Sequence, residues 1–126
     1  NFLDKWNGRT HKIAEKYKKL LSGLPLKFVE ENPECKSNYH LFVIKTKQRD
    51  SLMKYLSEEG IASGIHYPIP IHLTKTFSNL GYKKGSFSNS ESASQEVLSL
   101  PIYPQMKMND VVYVASKICE YFKRKK

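Results

Sequence analysis

Two closely spaced prolines in the segment Gly64-Ile65-His66-Tyr67-Pro68-Ile69-Pro70-Ile71-His72 impose the strongest constraint on the backbone of this chain. Proline fixes its own φ and disfavours helix at the preceding residue, so Tyr67 and Ile69 are predicted to be extended or polyproline-like. His66 and His72 then point to the same side, about 19–20 Å apart if the segment is straight. That distance is too long for a shared metal ion and suits a polar strip along a large ligand. The alternative is a proline-rich loop with partly buried histidines at its ends.

The rest of the composition is that of one globular domain spanning residues 1–126. Hydrophobic residues make up 40% of the chain, enough to form a core. No apolar run approaches the roughly 20 residues that span a bilayer, and no signal peptide opens the sequence. Cys35 and Cys119 lack metal-ligand spacing, a pattern typical of unpaired thiols in the cytoplasm. Because the chain starts at Asn1 with helical spacing already established, we expect it to be part of a longer protein.

The formal net charge of +9 is compatible with an anionic partner. Part of this excess lies in the tail 123–126, and the other lysines are dispersed along the chain. No ribonucleoprotein, helix-turn-helix or zinc-finger signature accompanies them. Nucleic-acid binding is therefore kept only as an alternative, because a diffuse positive field equally steers a phosphate-bearing substrate toward a site.

Helices are predicted where apolar residues recur at three- and four-residue spacing. The first runs from Phe2 to Leu21 and is ended by Gly23 and Pro25. The others are predicted at 49–59, with Leu52, Met53, Tyr55 and Leu56 inward; at 73–80; at 91–99; and after a capping Asn109, with Val111, Val112, Ala115, Ile118, Cys119 and Phe122 facing the core.

Strands are predicted at 26–29, 39–46 and 61–67, with an apolar turn or edge segment at 100–104. The unbroken apolar centre of 39–46 predicts a middle strand that is covered on both faces. Helices and strands are interspersed, the strands are few, and the crossovers between them differ in kind. The predicted fold class is therefore α+β, a small and largely antiparallel sheet covered by helices.

Neither catalytic nor metal-binding motifs are complete in this chain. There is no G-x-S-x-G motif, and neither cysteine has a neighbouring histidine in the sequence. Gly81–Gly85 is a weak phosphate-cradle candidate because it does not follow a clear strand. His11 reads as a surface residue of the first helix and His40 as a hydrogen-bonded structural imidazole in a strand. We predict no metal site and no catalytic residue within this chain.

Four segments form a more specific pattern. They are Leu3-Asp4-Lys5-Trp6-Asn7 with Arg9 and Ile13-Ala14-Glu15-Lys16-Tyr17; Tyr39-His40-Leu41-Phe42-Val43-Ile44 with Arg49-Asp50; Gly60-Ile61 leading to the histidine–proline run; and Leu98-Ser99-Leu100-Pro101-Ile102-Tyr103-Pro104. Their order and spacing resemble the C-terminal domain of the DegT/DnrJ/StrS sugar-nucleotide aminotransferases. These are pyridoxal-phosphate enzymes of the aspartate-aminotransferase fold. The resemblance covers nearly the whole chain, and HYPxPxH followed by LSLPxYP is its most specific combination.

The resemblance implies a small domain packed against a larger one that precedes Asn1. In the family, the larger domain supplies the Schiff-base lysine, the carboxylate at the pyridine nitrogen and most of the phosphate cradle. The isolated chain is therefore expected to be inactive and to bind no pyridoxal 5'-phosphate. The full-length protein is expected to be a homodimer that takes a sugar nucleotide and an amino donor, with no membrane partner.

The same resemblance places the histidine–proline run at the mouth of the cofactor cleft. His66 and Tyr67 would face the sugar or cofactor edge, and His72 would shape the entrance. Pro68 and Pro70 would hold the segment ready for binding. The HYP form is most similar to members that aminate a 3-keto sugar nucleotide, commonly from glutamate, in amino-sugar or cell-surface polysaccharide biosynthesis. Trp6, Tyr103 and the LSLPIYP segment are expected to serve in core packing.

Two alternatives are kept. One is a non-catalytic regulatory or binding relative of the same family. The other is a free-standing basic nucleic-acid binder, for which binding to mixed-sequence oligonucleotides would depend strongly on salt.

Overall fold

A computed structural model of the chain describes residues 2–124. The secondary structure in this range combines helices with a few short strands. In chain order it comprises α1 (Phe2–Leu21), β1 (Lys27–Phe28), β2 (Phe42–Lys45), α2 (Arg49–Glu58), two 3-10 turns (Ile71–Leu73 and Lys75–Leu80), α3 (Ser88–Glu96), β3 (Val97–Leu100) and α4 (Met108–Lys123). None of the helices described here has the length and apolar character needed to cross a membrane.

The sheet is antiparallel and has the order β1–β2–β3. Lys27 pairs with Lys45 between β1 and β2, and Phe42 pairs with Leu100 between β2 and β3. The predicted central position of the second strand is confirmed, as is the α+β class. The prediction that both of its faces are covered is wrong, because Val43 and Lys45 remain half-buried while their neighbours are buried. In a sheet with helices packed on one face, an apolar side chain on the other face stays partly in contact with solvent.

The core lies between the sheet and the amphipathic helices α1, α2 and α4. The ring of Tyr17 on α1 stacks on Phe42 of β2 with ring centres 5.0 Å apart, and its hydroxyl donates to the carbonyl oxygen of Pro101 at 3.0 Å. Leu52 and Leu56 bring α2 into the same cluster. The spacing of α1 and its stop at Gly23 agree with the prediction. The packing sets β2, and the segment that follows β3, against α1.

Two predicted elements differ from the structure, one in its bounds and one in its type. The helix predicted at 91–99 begins earlier, at Ser88, and ends at Glu96; Val97–Leu100 form β3 instead. The strand predicted at 61–67 is reduced to one bridge, in which Gly64 pairs with Ser99. Both differences arise from β3, because strand pairing depends on a distant partner that the local pattern does not contain.

Four residues do not have the environments predicted for them. Asn109 is not the cap of the last helix, since α4 begins at Met108 and Lys107 precedes it. Val112 is exposed, and Val114 and Tyr121 are the residues that join the core there. Trp6, expected in the core, is 43% exposed, and Tyr103 is also exposed. Periodicity identifies the apolar face of a helix but not how far along that face its neighbours extend.

Candidate functional site

The histidine–proline segment and α3 form the two walls of an open groove of about 210 Å³. One wall is the backbone stiffened by two prolines, and the other is one face of the helix together with the first residue of β3. The lining residues are His66, Tyr67, Ile69, Pro70 and Ile71 on the first wall and Ser90, Ala93, Ser94 and Val97 on the second. Most of these side chains are apolar or small, so the groove presents a hydrophobic surface with a few polar groups at its rim.

One end of the groove is closed by His66 and β3. Nδ1 of His66 lies 3.0 Å from Oγ of Ser99. The backbones of Gly64 and Ser99 exchange two hydrogen bonds, of 3.1 and 2.7 Å. A methyl group on Gly64 would lie 3.1 Å from Cε1 of His66, so the imidazole rests directly on the glycine. This end of the segment is therefore fixed to the sheet through its backbone and through one side chain.

Tyr67 is the most exposed aromatic residue of the groove, with 75% of its surface accessible. Its ring lies edge-on to that of His66, with centres 5.9 Å apart, and the peptide bond between the two residues is cis. Ile69 and Ile71 are exposed beside it, and Pro68 and Pro70 separate these side chains. A phenol and two aliphatic side chains on a stiff backbone can contact a ligand with little loss of conformational entropy.

His72 lies just beyond the groove, where it holds the end of the histidine–proline segment against α3. Its Nε2 lies 3.0 Å from Oε1 of Glu91, and the two side chains are only 8% and 14% exposed. Since the 3-10 turn Ile71–Leu73 starts at this point, the segment does not stay straight, and the prediction that His66 and His72 point to the same side is wrong. The imidazole faces Glu91 and the ring of Phe87 and does not line the groove.

Glu91 also holds the loop 81–87, which carries the exposed Lys83 and Lys84. Its carboxylate accepts hydrogen bonds from the backbone N–H groups of Gly85, at 2.8 Å, and Phe87, at 3.3 Å. Desolvation opposes ionisation, but the hydrogen bonds from Gly85 and His72 outweigh it and lower the pKa of Glu91. The carboxylate therefore connects the histidine–proline segment, α3 and the lysine-bearing loop.

Sequence reasoning missed both Glu91 and Ser99. The one available signal for Glu91 is that it is the only charged residue between Lys84 and Glu96, in a stretch otherwise rich in serine. No comparable signal pointed to Ser99. The local pattern predicts a helix through residue 99, and a helical Ser99 would not be expected to pair with the histidine–proline segment.

A second polar cluster lies on another surface of the domain. The Tyr39 hydroxyl and the Lys18 ammonium both donate to Glu31, and these bonds lower the pKa of the Glu31 carboxyl to about 2. His11 contacts the edge of the Tyr39 ring and is half-buried rather than a surface residue. His40 is exposed, so the prediction of a structural imidazole is wrong: its ring has no hydrogen-bonding partner within residues 2–124, and its backbone N–H donates to Oδ1 of Asn38. A turn placed His40 outside the strand that was predicted to bury it.

Lys18 and Lys117, the two lysines with a shifted pKa among residues 2–124, do not match the requirements of covalent catalysis. Imine formation requires a lysine whose pKa is lowered by burial or by neighbouring cations. Lys117, paired with Glu59 and Glu120, has a raised pKa, and so has Lys18, where desolvation is outweighed by hydrogen bonds to Tyr39 and Glu15. Nor do residues 2–124 contain a group of three or more His, Cys, Asp or Glu side chains arranged to hold a metal ion.

Residues 1–119 match the sequence profile of the DegT/DnrJ/EryC1/StrS aminotransferase family. This chain belongs to that family. A pleiotropic regulatory protein of Geobacillus stearothermophilus is 38% identical over 124 residues, which are 96% of this chain and 33% of that protein. The dTDP-3-amino-3,4,6-trideoxy-alpha-D-glucose transaminase of Streptomyces venezuelae is 35% identical over 123 residues, which are 97% of this chain and 32% of that enzyme.

Among solved structures, S. venezuelae DesV in complex with a ketimine intermediate superposes with a TM-score of 0.90 at 34% identity. The superposition covers 94% of this chain and 32% of the DesV chain. The chain thus spans about a third of the length of the DegT/DnrJ/EryC1/StrS relatives it matches. The predicted family and fold are confirmed, and the groove described above is a feature of this third.

Proposed function

We propose that this chain is the C-terminal small domain of a pyridoxal-phosphate-dependent aminotransferase that transfers an amino group, from glutamate, to a keto sugar nucleotide. The observation that carries the proposal is the family match over residues 1–119, which includes both walls of the groove. The 3-amino sugar named for the S. venezuelae relative favours amination at C3 of a 3-keto sugar. Such a reaction belongs to amino-sugar or cell-surface polysaccharide biosynthesis, in the cytoplasm.

In this proposal a larger domain precedes the chain and covers the exposed start of α1. Phe2, Leu3 and Trp6 all lie within the first two turns of α1 and are exposed. Three large apolar side chains at one helix end are typical of a surface that another domain or subunit buries. The intact protein is proposed to be a homodimer, and the isolated chain to be inactive.

Pyridoxal phosphate, when bound, acts as the electron sink for amino transfer. The lysines described above do not fit its covalent attachment, so the larger domain is proposed to hold it. The role left for this chain is to bind and orient the sugar nucleotide. His66 and Tyr67 supply hydrogen-bonding groups at the rim of the groove, and Pro68 and Pro70 keep that wall rigid.

His72 has a different part in the same proposal. Because it contacts Glu91 rather than the groove, it shapes the substrate entrance and fixes the loop that carries Lys83 and Lys84. Two lysines on a tethered loop provide a positive field that favours an approaching diphosphate.

The test is to purify the intact protein that contains this chain and to supply glutamate with a 3-keto sugar nucleotide. Formation of the 3-amino sugar nucleotide, and a lysine labelled on borohydride reduction in the preceding domain, are expected. The residues 1–126 alone, given the same reagents, should give neither product nor label. An intact protein that is colourless and forms no amino sugar would disprove the catalytic proposal.

The pleiotropic regulatory protein, at 38% identity, favours a second candidate, a non-catalytic regulatory relative. In that case the preceding domain would lack the cofactor-binding lysine, while the groove could still hold a sugar nucleotide. Binding of the nucleotide without amino transfer would support this second candidate.

A further inference from the structure

We propose that Ser99 is a positioning residue, which orients His66 and fixes its tautomer so that Nε2–H is the hydrogen-bond donor offered to the ligand. The identity of that ligand rests on the proposed function, whereas the orientation and the tautomer are properties of this chain alone. The donor would be directed at an acceptor oxygen of the sugar nucleotide, on the hexose or on the diphosphate.

The argument starts from the hydroxyl proton of Ser99. Ser99 is only 6% exposed, and its backbone N–H and carbonyl are both used by Gly64. Within residues 2–124 its Oγ has one hydrogen-bonding partner, Nδ1 of His66 at 3.0 Å. A buried hydroxyl must give its proton to an acceptor, since leaving a buried donor unsatisfied costs about 1–3 kcal/mol. The bond that satisfies Ser99 is therefore Oγ–H donating to Nδ1.

The state of the imidazole follows from this direction. A neutral histidine carries one proton, so a ring whose Nδ1 accepts a hydrogen bond carries its proton on Nε2. The ring cannot easily turn away from this arrangement, because it rests on Gly64 and meets the Tyr67 ring edge-on. His66 itself is exposed and lines the groove. The second nitrogen is thus a donor held in a fixed direction at the groove rim.

Two histidine substitutions separate the two nitrogens. In His66→Asn the side-chain amide can occupy the place of Nδ1, which keeps the bond to Ser99 and removes the donor at Nε2. In His66→Gln the amide can reach the place of Nε2, which keeps a donor and removes the bond to Ser99. We expect His66→Asn in the intact protein to raise the KM for the sugar nucleotide more than His66→Gln does.

The Ser99→Ala variant tests the positioning role directly. We expect its KM for the sugar nucleotide to rise about threefold to tenfold, the effect of one neutral hydrogen bond, with the KM for the amino donor changed less than about twofold. Ser92→Ala is the matched control, because Ser92 is an exposed serine on α3. Its KM values should equal those of the parent protein.

The tautomer is measured independently of activity. The intact protein is labelled with ¹⁵N-histidine and its ring nitrogens are observed by NMR above pH 8, where an ordinary imidazole is neutral; the His66→Asn spectrum assigns the signal. We expect the Nε2–H form in the parent protein and a mixture of the two forms in Ser99→Ala. An Nδ1–H form in the parent, or a signal unchanged by Ser99→Ala, would overturn the inference even in an active transaminase. Conversely, if a protein that transfers no amino group gives the expected spectra, the inference about Ser99 and His66 stands. Only the proposed function is then refuted.

Discussion

Nη1 of Arg49 donates a hydrogen bond of 3.1 Å to the backbone carbonyl oxygen of Ser94, joining the first residue of α2 to the last turn of α3. Arg49 is buried, and Ser94 lines the groove. The carbonyl oxygens of a last helical turn lack intrahelical partners, so this guanidinium satisfies an acceptor that would otherwise be buried without one. The helical wall of the groove is thereby attached to the core.

Replacing Arg49 should therefore loosen α3. We expect Arg49→Met to reduce the free energy of unfolding by about 1–3 kcal/mol, because the Ser94 carbonyl loses its donor. Arg49→Lys should lose less, since an ammonium can still donate to the same oxygen. Urea unfolding of the intact protein measures both, with the exposed Arg9→Met as the control. Equal stability of Arg49→Met and the control would show that water replaces the guanidinium.

The loop 81–87 should depend on the ionised form of Glu91. Its pKa is lower in the folded chain than the ordinary value of 4.5, so the stabilisation is complete above about pH 4.5 and is lost as the pH falls through the folded pKa. We expect Glu91→Gln to abolish this acid dependence and to speed amide exchange of Gly85 and Phe87 about tenfold at pH 7.

Glu96→Gln is the matched control for this prediction. Glu96 is on the same helix and is paired, at 4.0 Å, with Lys45 instead of His72. If the amides of Gly85 and Phe87 exchange at the same rate in both variants, contacts other than those of Glu91 hold the loop.

The Tyr39 hydroxyl should control the acidity of Glu31. The pKa of Glu31 is held at about 2, first by the hydrogen bond from Tyr39 and then by that from Lys18. In Tyr39→Phe we expect this pKa to rise toward 4.5 without reaching it, because Lys18 still donates to the carboxylate. An NMR titration of the glutamate carboxyl carbons measures the change, and Tyr82→Phe is the control. A Glu31 pKa that stays near 2 in Tyr39→Phe would assign the effect to Lys18 and the backbone N–H of Ser37 instead.

Two glycines should respond oppositely to alanine. Gly8 lies within α1, and the space that an added methyl group would take has no neighbouring side chain within 4 Å, so Gly8→Ala should raise the free energy of unfolding by about 0.5–1 kcal/mol. The same change at Gly64 would push against the His66 ring. We expect Gly64→Ala to raise the KM for the sugar nucleotide, and Gly8→Ala to leave it unchanged. A Gly64→Ala protein with parental KM would show that the His66 ring can shift without loss of function.

Tyr67 offers a test of direct ligand contact. Because its ring is exposed, Tyr67→Phe should leave the melting temperature within about 1 °C of the parent, as expected for a surface substitution. The KM for the sugar nucleotide should rise about threefold to tenfold if the hydroxyl donates to the ligand. His66→Ala should show the same pattern with a larger effect. If either variant loses stability and activity to the same extent, the residue has a structural role and does not contact the ligand directly.

The elements that the sequence predicted well are those specified locally. α1 ends where Gly23 and Pro25 predicted, and α2 agrees with its predicted range to within one residue, because caps and helical spacing are short-range signals. β3 was missed because its stability comes from pairing with β2, about 55 residues earlier in the chain.

The same distinction applies to the groove. His66, Tyr67 and the prolines were recognisable from their own segment, and the structure brings His66, Tyr67 and Pro70 together along one wall. Their fixing partners were not, because Ser99 is 33 residues from His66 and Glu91 is 19 residues from His72. No pattern within the segment specifies which distant hydroxyl or carboxylate will meet each ring.

The direct passage from α3 into β3 also restricts how this groove could diversify. Glu96 ends the helix and Val97 begins the strand, so no spacer absorbs a change in length. One residue inserted into α3 would rotate the groove-lining side chains by about 100° relative to the strand, or would shift β3 by one position and turn Ser99 to the opposite face of the sheet. Insertions between Ser90 and Ser99 would therefore disrupt the groove or the strand. New ligand preferences along this wall would have to arise by exchange of side chains at constant length.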